Sequence, residues 1–384
     1  IYLFCVLFLG LTVLMAEYAV GRKSGMSAIE GIHSLARAES KSENWQVVGW
    51  IGSLGAFFIL TFYIVISAWV LAFIPQAFGG NFGETISNKY MIGGLLVAFL
   101  LANVIVVARG VKGGIEKAAT VLMPAFFILL IGIVGFALIE GDAGAAADFL
   151  LTPDFSEVTM GTFLEAVGQA FFSLSVGSCL MVTYGAYLSR DTNIPRASAI
   201  VASADTMVAL IAGFAIFPIV FAFGADPAGG PGLFFVSMPI AFSQMGALGV
   251  WVGGAFFLLA LFAAFTSSIS LMEVGVAWLE EREGVTRPGA AMGIGFVLFM
   301  IGMGYVYSTD FIDFADIITG NIMLPLCALL LAVFAGWILS REMLTTELGE
   351  GTIMNLWRFM CRWVVPPALA FILVLGTLTK LGVI

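Results

Sequence analysis

The sequence predicts an all-α polytopic membrane protein built as a single transmembrane unit, and three observations predict it. Hydrophobic residues make up 61% of the 384 and charged residues only 11%, with a mean hydropathy of +1.07; no soluble fold needs so much apolar surface. The apolar residues gather in about ten runs near 20 residues long, the length of helix that crosses a hydrocarbon layer about 30 Å thick. Lysine and arginine fall almost entirely in alternate connections between those runs, as the positive-inside rule requires.

In chain order the runs lie near 1–20, 47–78, 91–108, 118–140, 161–188, 197–224, 237–280, 290–307, 313–339 and 361–379. Each reads as a helix, because in lipid every backbone N–H and C=O must be bonded inside its own segment. The runs 47–78 and 237–280 are long enough to tilt or to project beyond the bilayer. Between the last two runs, Ser340 to Asn355 leads into Leu356, Trp357, Phe359 and Met360 with Arg358 and Arg362, a composition that suits a short interfacial helix.

Arg22, Lys23, Arg37 and Lys41, then Arg109, Lys112 and Lys117, Arg190 and Arg196, Arg282 and Arg287, and Arg341, Arg358 and Arg362 mark the cytoplasmic connections. Lys89 and Lys380 fall opposite, where the connections are otherwise acidic or neutral, including Asp142 to Asp154, Asp226 and Asp310. This orientation puts Ile1 on the far side and leads one to expect a preceding helix with a cytoplasmic N-terminus. The run 1–20 is not a cleaved signal peptide, since its basic residues follow the apolar core.

Several function classes are excluded. The net charge of -9 is scattered over loops, and no basic patch suits nucleic acid. Cys5, Cys179, Cys327 and Cys361 lie in or beside apolar runs with no CxxC pair, so neither a metal site nor a disulfide framework is indicated. One histidine, His33, in a cytoplasmic loop, no Walker loop and no nucleophile elbow argue against an enzyme.

The run Gly161 to Arg190 differs from the rest: Ser173, Ser175, Gly177 and Ser178 weaken the helix in its middle. A break at mid-depth is tolerated only where it faces protein, ions or a water-filled cavity. Close packing of small residues against neighbouring helices accounts for it equally well.

A resemblance bears on that choice. AEYAVGR (16–22), RGVKGGIEKAATVLMP (109–124), LTPDF (151–155), VGQAFFSLSVGS (167–178), DTMVALIAGFAIFP (205–218) and FAAFTSSISLMEV (262–274) resemble, in order, the neurotransmitter:sodium symporter family in its bacterial amino-acid branch. The resemblance implies the inverted-repeat leucine-transporter fold with two broken helices. Residues 1–140 then correspond to the remainder of the first repeat, family helices 2 to 5, and 161–339 to the second repeat, helices 6 to 10. Residues 340–384 are an interfacial segment and an extra helix. The first family helix has no counterpart in this chain, which agrees with the charge pattern; a protein truly lacking it is expected to lose coupled transport.

By resemblance Na⁺ is carried at two sites. One takes the Ala263 carbonyl with the Thr266 and Ser267 hydroxyls; on spacing alone, bonding back to their own helix is the default for such hydroxyls and the better expectation. The other takes Ser173 and Asp205. A carboxylate inside a bilayer is expensive and marks function by default, although Asp205 also suits a helix N-cap. Family members carry Asn at this position, and animal members bind chloride nearby, so a fixed carboxylate here predicts chloride independence. Asp205 also suits a proton cycle, the mark of a proton-coupled carrier of the same fold.

The resemblance assigns the substrate, a neutral amino acid, to Tyr63, Ile66, Phe172, Ser173, Ser175, Ser178 and Leu271. Ser178 stands where relatives carry a second phenylalanine, which leaves room for an aromatic or large aliphatic side chain; Met, Ile and Val also fit. Gln169 and Asp316 resemble the outer gate, with Asp313 competing for the role. Tyr187 and Glu281 resemble the inner gate, with Glu280 competing. No organic cofactor is implied, the partner is the lipid bilayer of the cell's inner membrane, and the sequence leaves the oligomeric state open.

Overall fold

The computed structural model describes residues 1–76, 82–156, 158–224, 226–227 and 232–380, and among them there is no strand. Among the described residues nine helices are long and apolar enough to span a membrane. In chain order, α1 is Tyr2–Ser24, α2 Ala28–Ala38, α3 Glu43–Pro75, α4 Lys89–Ala108, α5 Val111–Glu140 and α6 Ala143–Leu151. The broken run supplies α7, Met160–Ser173, and α8, Leu180–Tyr187. Then follow α9, Ile194–Ala222, α10, Leu233–Gln244, α11, Ala247–Glu280, α12, Arg287–Tyr307, α13, Phe311–Ile338, α14, Arg341–Leu348, and α15, Thr352–Gly376.

Two boundaries differ from those expected. The run 237–280 is two helices, because Gly246 takes φ 64°, ψ -136°, a conformation that closes off α10 and starts α11. The interfacial segment before the last span is not separate: α15 continues from Thr352 through a π-turn at Met360–Val364 into the membrane. The expected run 47–78 ends within residues that lie partly outside the described ones.

Among the described residues most of the core lies in three clusters, with a small fourth around Ala56, Leu180 and Val274. One joins α1, α7, α8, α13 and α15; a second joins α3, α4, α11 and α12; a third joins α3, α5, α9, α10 and α11. The interface between α1 and α8 is as close as backbones allow. A Cβ on Gly21 would stand 2.0 Å from the Val182 carbonyl oxygen, the small-residue contact by which helices pack in lipid. α5, by contrast, turns Ile128, Ile131 and Ile139 outward at 72%, 66% and 80% exposure, as a lipid-facing helix does.

Contacts gather the basic connections at one end of the bundle. Arg22 donates to the Thr192 carbonyl and to Glu347, Arg282 to Glu30, and Arg287 to the Val107 carbonyl. Five connections therefore meet on one face, as the charge pattern predicts. Outside the spans, Ser156 donates its N–H and Oγ to Asp154 at 2.9 and 2.6 Å, and these bonds hold that carboxyl below its usual range.

Candidate functional site

The break runs from Leu174 to Cys179, between α7 and α8. Ser175, Gly177 and Cys179 take φ of 54°, 83° and 56°, so every second residue is left-handed and the chain cannot continue as a helix. Gly177 is required twice over. Besides its φ, a Cβ there would stand 2.2 Å from the Leu324 carbonyl oxygen of α13.

The freed backbone groups find partners. Glu17, in the middle of α1 and fully buried, accepts the Gly177 N–H on one oxygen at 2.6 Å and the Met181 N–H on the other at 3.0 Å. The Ser178 hydroxyl donates to the Ser175 carbonyl at 2.7 Å. The break is thus a bonded joint anchored on α1. Glu17 was absent from the sequence-based site, yet the rule that singled out Asp205, a carboxylate inside an apolar run, applies equally to it.

Beside the break lies a cavity of about 490 Å³. It is lined by Tyr63, Gln169, Phe172, Ser173, Ser175, Ser178, Thr266, Ser267 and Leu271 among the expected residues, with Ile59, Leu180, Ser270 and Leu324 added by the structure. α3 contributes Ile59 and Tyr63 at i, i+4, one face of the helix. Ile66, expected in this lining, instead packs among apolar neighbours of the second and third clusters. The next turn of α3 carries it past the cavity.

Polar groups around this cavity are connected across elements. Ser173 Oγ donates to Asp205 Oδ2 at 2.5 Å. Asp205 stands eleven residues into α9, roughly 16 Å from its start, and the N-cap is Asn193, which accepts the Arg196 N–H at 2.9 Å. The N-cap account of Asp205 is therefore excluded. On α11 the Thr266 hydroxyl donates back to the Phe262 and Ala263 carbonyls, both at 3.0 Å, while the Ser267 hydroxyl meets Tyr63. A carboxylate, three hydroxyls and helix carbonyls are the oxygen donors that a hard cation takes.

Toward the far side a second cavity of about 550 Å³ is lined by Glu165, Gln169, Phe172, Asp316 and Asn321, so Gln169 and Asp316, the two residues expected at an outer gate, face one space. At the basic end the residues expected at an inner gate, Tyr187 and Glu281, take separate partners. Glu281 accepts the Ser27 N–H at 2.6 Å and its hydroxyl at 2.5 Å. Tyr187 donates to Glu273 at 2.9 Å, and Glu273 pairs with Arg287, which also donates to Glu280 at 2.8 Å. Glu280 and Glu281 are thus separated by partner: the first joins an ion network and the second holds the start of α2. Glu273, buried inside the run 237–280, is the other residue that the carboxylate rule should have raised.

A helical bundle with one span broken, oxygen donors of the kind a hard cation takes gathered beside the break, one cavity there and another toward the far side has the features of an ion-coupled membrane transporter. The chain belongs to the sodium:neurotransmitter symporter family, whose model matches residues 81–382. It is 32% identical to YhdH of Bacillus subtilis (strain 168), described as an uncharacterized sodium-dependent transporter, over 97% of this chain and 88% of that protein. It is 28% identical to sodium-dependent nutrient amino acid transporter 1 of Drosophila ananassae over 55% of this chain and 34% of that protein. Its fold is that of MhsT crystallised in complex with L-phenylalanine, with a TM-score of 0.87, 32% identity, and coverage of 97% of this chain and 90% of MhsT. The chain is a sodium-coupled, multi-pass membrane transporter, and no relative among these is an enzyme.

Proposed function

We infer that this symporter imports a neutral amino acid with a bulky hydrophobic or aromatic side chain, that two Na⁺ ions travel with it, and that it does so independently of chloride. The observation that carries the reading is the contact of Ser173 with Asp205 across the break, at the wall of the cavity that Ser178 leaves open. A fixed carboxylate beside a bound Na⁺ supplies the negative charge that an added anion would otherwise provide.

In this reading the first Na⁺ takes Ser173 and Asp205, and the second takes the Ala263 carbonyl with Thr266 and Ser267. Tyr63 donates to the substrate carboxylate, the freed carbonyls of the break receive its ammonium, and Phe172 closes over it. Leu271 and Ser178 bound the side chain, and Ile66 contributes through packing alone. Gln169 and Asp316 close the outer side; Tyr187 and Glu281 close the inner side through Glu273 and Ser27. Residues 1–140 and 161–339 move as the two repeats, and the basic face is cytoplasmic, in the cell's inner membrane. That MhsT was crystallised with phenylalanine and that the Drosophila relative is named for nutrient amino acids agree with the substrate class.

The rival reading has Asp205 carry a proton, its carboxylate held against Ser173 at the cavity wall; the bonds of Thr266 to its own helix do not decide between the two, because a hydroxyl that donates its hydrogen keeps oxygen lone pairs for an ion. Proteoliposome uptake of labelled tryptophan, leucine and alanine separates the two. Uptake that requires inward Na⁺, ignores chloride, prefers the large side chains and is abolished by Thr266→Val with Ser267→Ala is expected. Uptake driven by a pH gradient and indifferent to those substitutions would leave the family's fold and remove the sodium assignment.

A further inference from the structure

Helices α14 and α15 carry three guanidinium groups that the transport reading does not use. Arg341 opens α14, and Arg358 and Arg362 stand one turn apart on α15. Their partners are neutral oxygens. Arg341 donates to Asn355 Oδ1 at 2.7 Å, Arg358 Nη2 to the Leu339 carbonyl at 3.3 Å, and Arg362 Nε to the Gly336 carbonyl at 2.6 Å. The last two carbonyls end α13, where the helix dipole amounts to roughly half a negative charge.

That is less than three cations require. Among the described residues none of the three arginines forms an ion pair, although seven other salt-bridge contacts involve lysine or arginine. Glu39 reaches Arg358 electrostatically, but its Oε1 accepts the Ser340 N–H at 2.9 Å. Arg358 Nη1 is covered and has no hydrogen-bond partner, alone among charged side chains of the described residues. Nη1 is thus a donor that nothing in the protein satisfies, while the rest of the half-buried side chain reaches the surface.

The surroundings have the chemistry of a membrane interface. Trp337 and Trp363 pack edge to face at 5.0 Å, 47% and 60% exposed, and the Arg362 guanidinium lies 5.4 Å from the Trp337 ring. Phe359 and Leu356 on α15 are also exposed. Aromatic rings of this kind sit at headgroup level, and this is the basic end of the bundle, which faces the leaflet rich in anionic lipid.

We propose that Arg341, Arg358 and Arg362 bind the phosphodiester of an anionic phospholipid, with its acyl chains along the exposed rings of α15. A phosphate supplies the charged acceptors that the three guanidiniums lack. The bound lipid braces α14, the helix whose Glu347 receives Arg22 from α1.

The test is a titration of the full chain, purified in detergent, with phosphatidylglycerol, phosphatidylcholine and inorganic phosphate, bound lipid being counted by native mass spectrometry. Phosphatidylglycerol is expected to stay bound where phosphatidylcholine is lost, and each of Arg341→Gln, Arg358→Gln and Arg362→Gln to weaken it about fivefold. Arg358→Lys and Arg362→Lys keep the charge while giving up the carbonyl bonds, so lipid retained in them separates binding from capping of α13. Equal retention of the two lipids, glutamine variants that hold phosphatidylglycerol as tightly as the parent, or displacement by millimolar inorganic phosphate would each overturn the proposal.

Discussion

Replacing Glu17 by Gln tests whether the break in the transmembrane helix is held open by one buried carboxylate. Glu17 gives one oxygen to the Gly177 N–H and the other to the Met181 N–H. An amide has a single acceptor oxygen, so one of the two N–H groups faces an NH₂ donor in the variant. An orphaned buried donor costs about 1–3 kcal/mol, and the surviving bond falls from charge-assisted to neutral, about 1 kcal/mol more. The sum, about 3 kcal/mol, is worth roughly two orders of magnitude in an equilibrium. Hydrogen exchange read by mass spectrometry over peptides covering 174–181 is therefore expected to accelerate about 100-fold at Gly177 or Met181, with substrate affinity falling in parallel. Glu17→Ala, which orphans both amides, is expected to be worse than Gln. Unchanged exchange together with unchanged affinity in the Gln variant would refute the anchoring role.

Asp205→Asn removes the charge beside Ser173, and Na⁺-driven uptake is expected to fall at least tenfold in chloride-free medium and to recover when chloride is added; recovery with gluconate as well would contradict the role assigned to the carboxylate. A Cβ on Gly52 of α3 would stand 2.4 Å from Cys179 Sγ and 2.8 Å from Cys327 Sγ, two thiols in contact at 3.7 Å. Gly52→Ala is expected to destabilise the protein by about 1–3 kcal/mol, read as a lowered unfolding temperature in detergent. Cys179→Ala in the same chain should restore part of the loss, since the contact with Cys327 Sγ at 2.8 Å remains.

The spans and the break were legible because lipid leaves the backbone so few options. A run of serines and glycine inside an apolar segment is a strong signal when every peptide group needs a partner, and the structure puts left-handed residues at Ser175 and Gly177. Asp205 stood out as a carboxylate in an apolar run for the same reason, and the structure places it deep in α9. What sequence reasoning missed depends on pairings between distant segments. Glu17 and Glu273 are carboxylates in apolar runs, but their roles come from Gly177, Tyr187 and Arg287, which only the packed bundle brings near. Ile66 was assigned by resemblance, and a matched motif does not show how far the cavity extends along α3, where Ile66 packs among apolar neighbours. The division at Gly246 was missed because a glycine among apolar residues has no visible consequence until its backbone angles are known.

The pairing of Arg22 with Glu347 has a consequence for how the protein is made. The two residues are 325 positions apart, and both are nearly inaccessible once joined. At roughly 5–20 residues per second of synthesis, the arginine at the end of α1 waits on the order of 15 to 65 s before its carboxylate exists. A guanidinium is not buried without a partner, so the end of α1 has to stay hydrated through the insertion of nearly every later helix. Closure of the basic face is thus a late step of biogenesis, reached only when α14 emerges, and a ribosome stalled before residue 347 leaves this end of the bundle open.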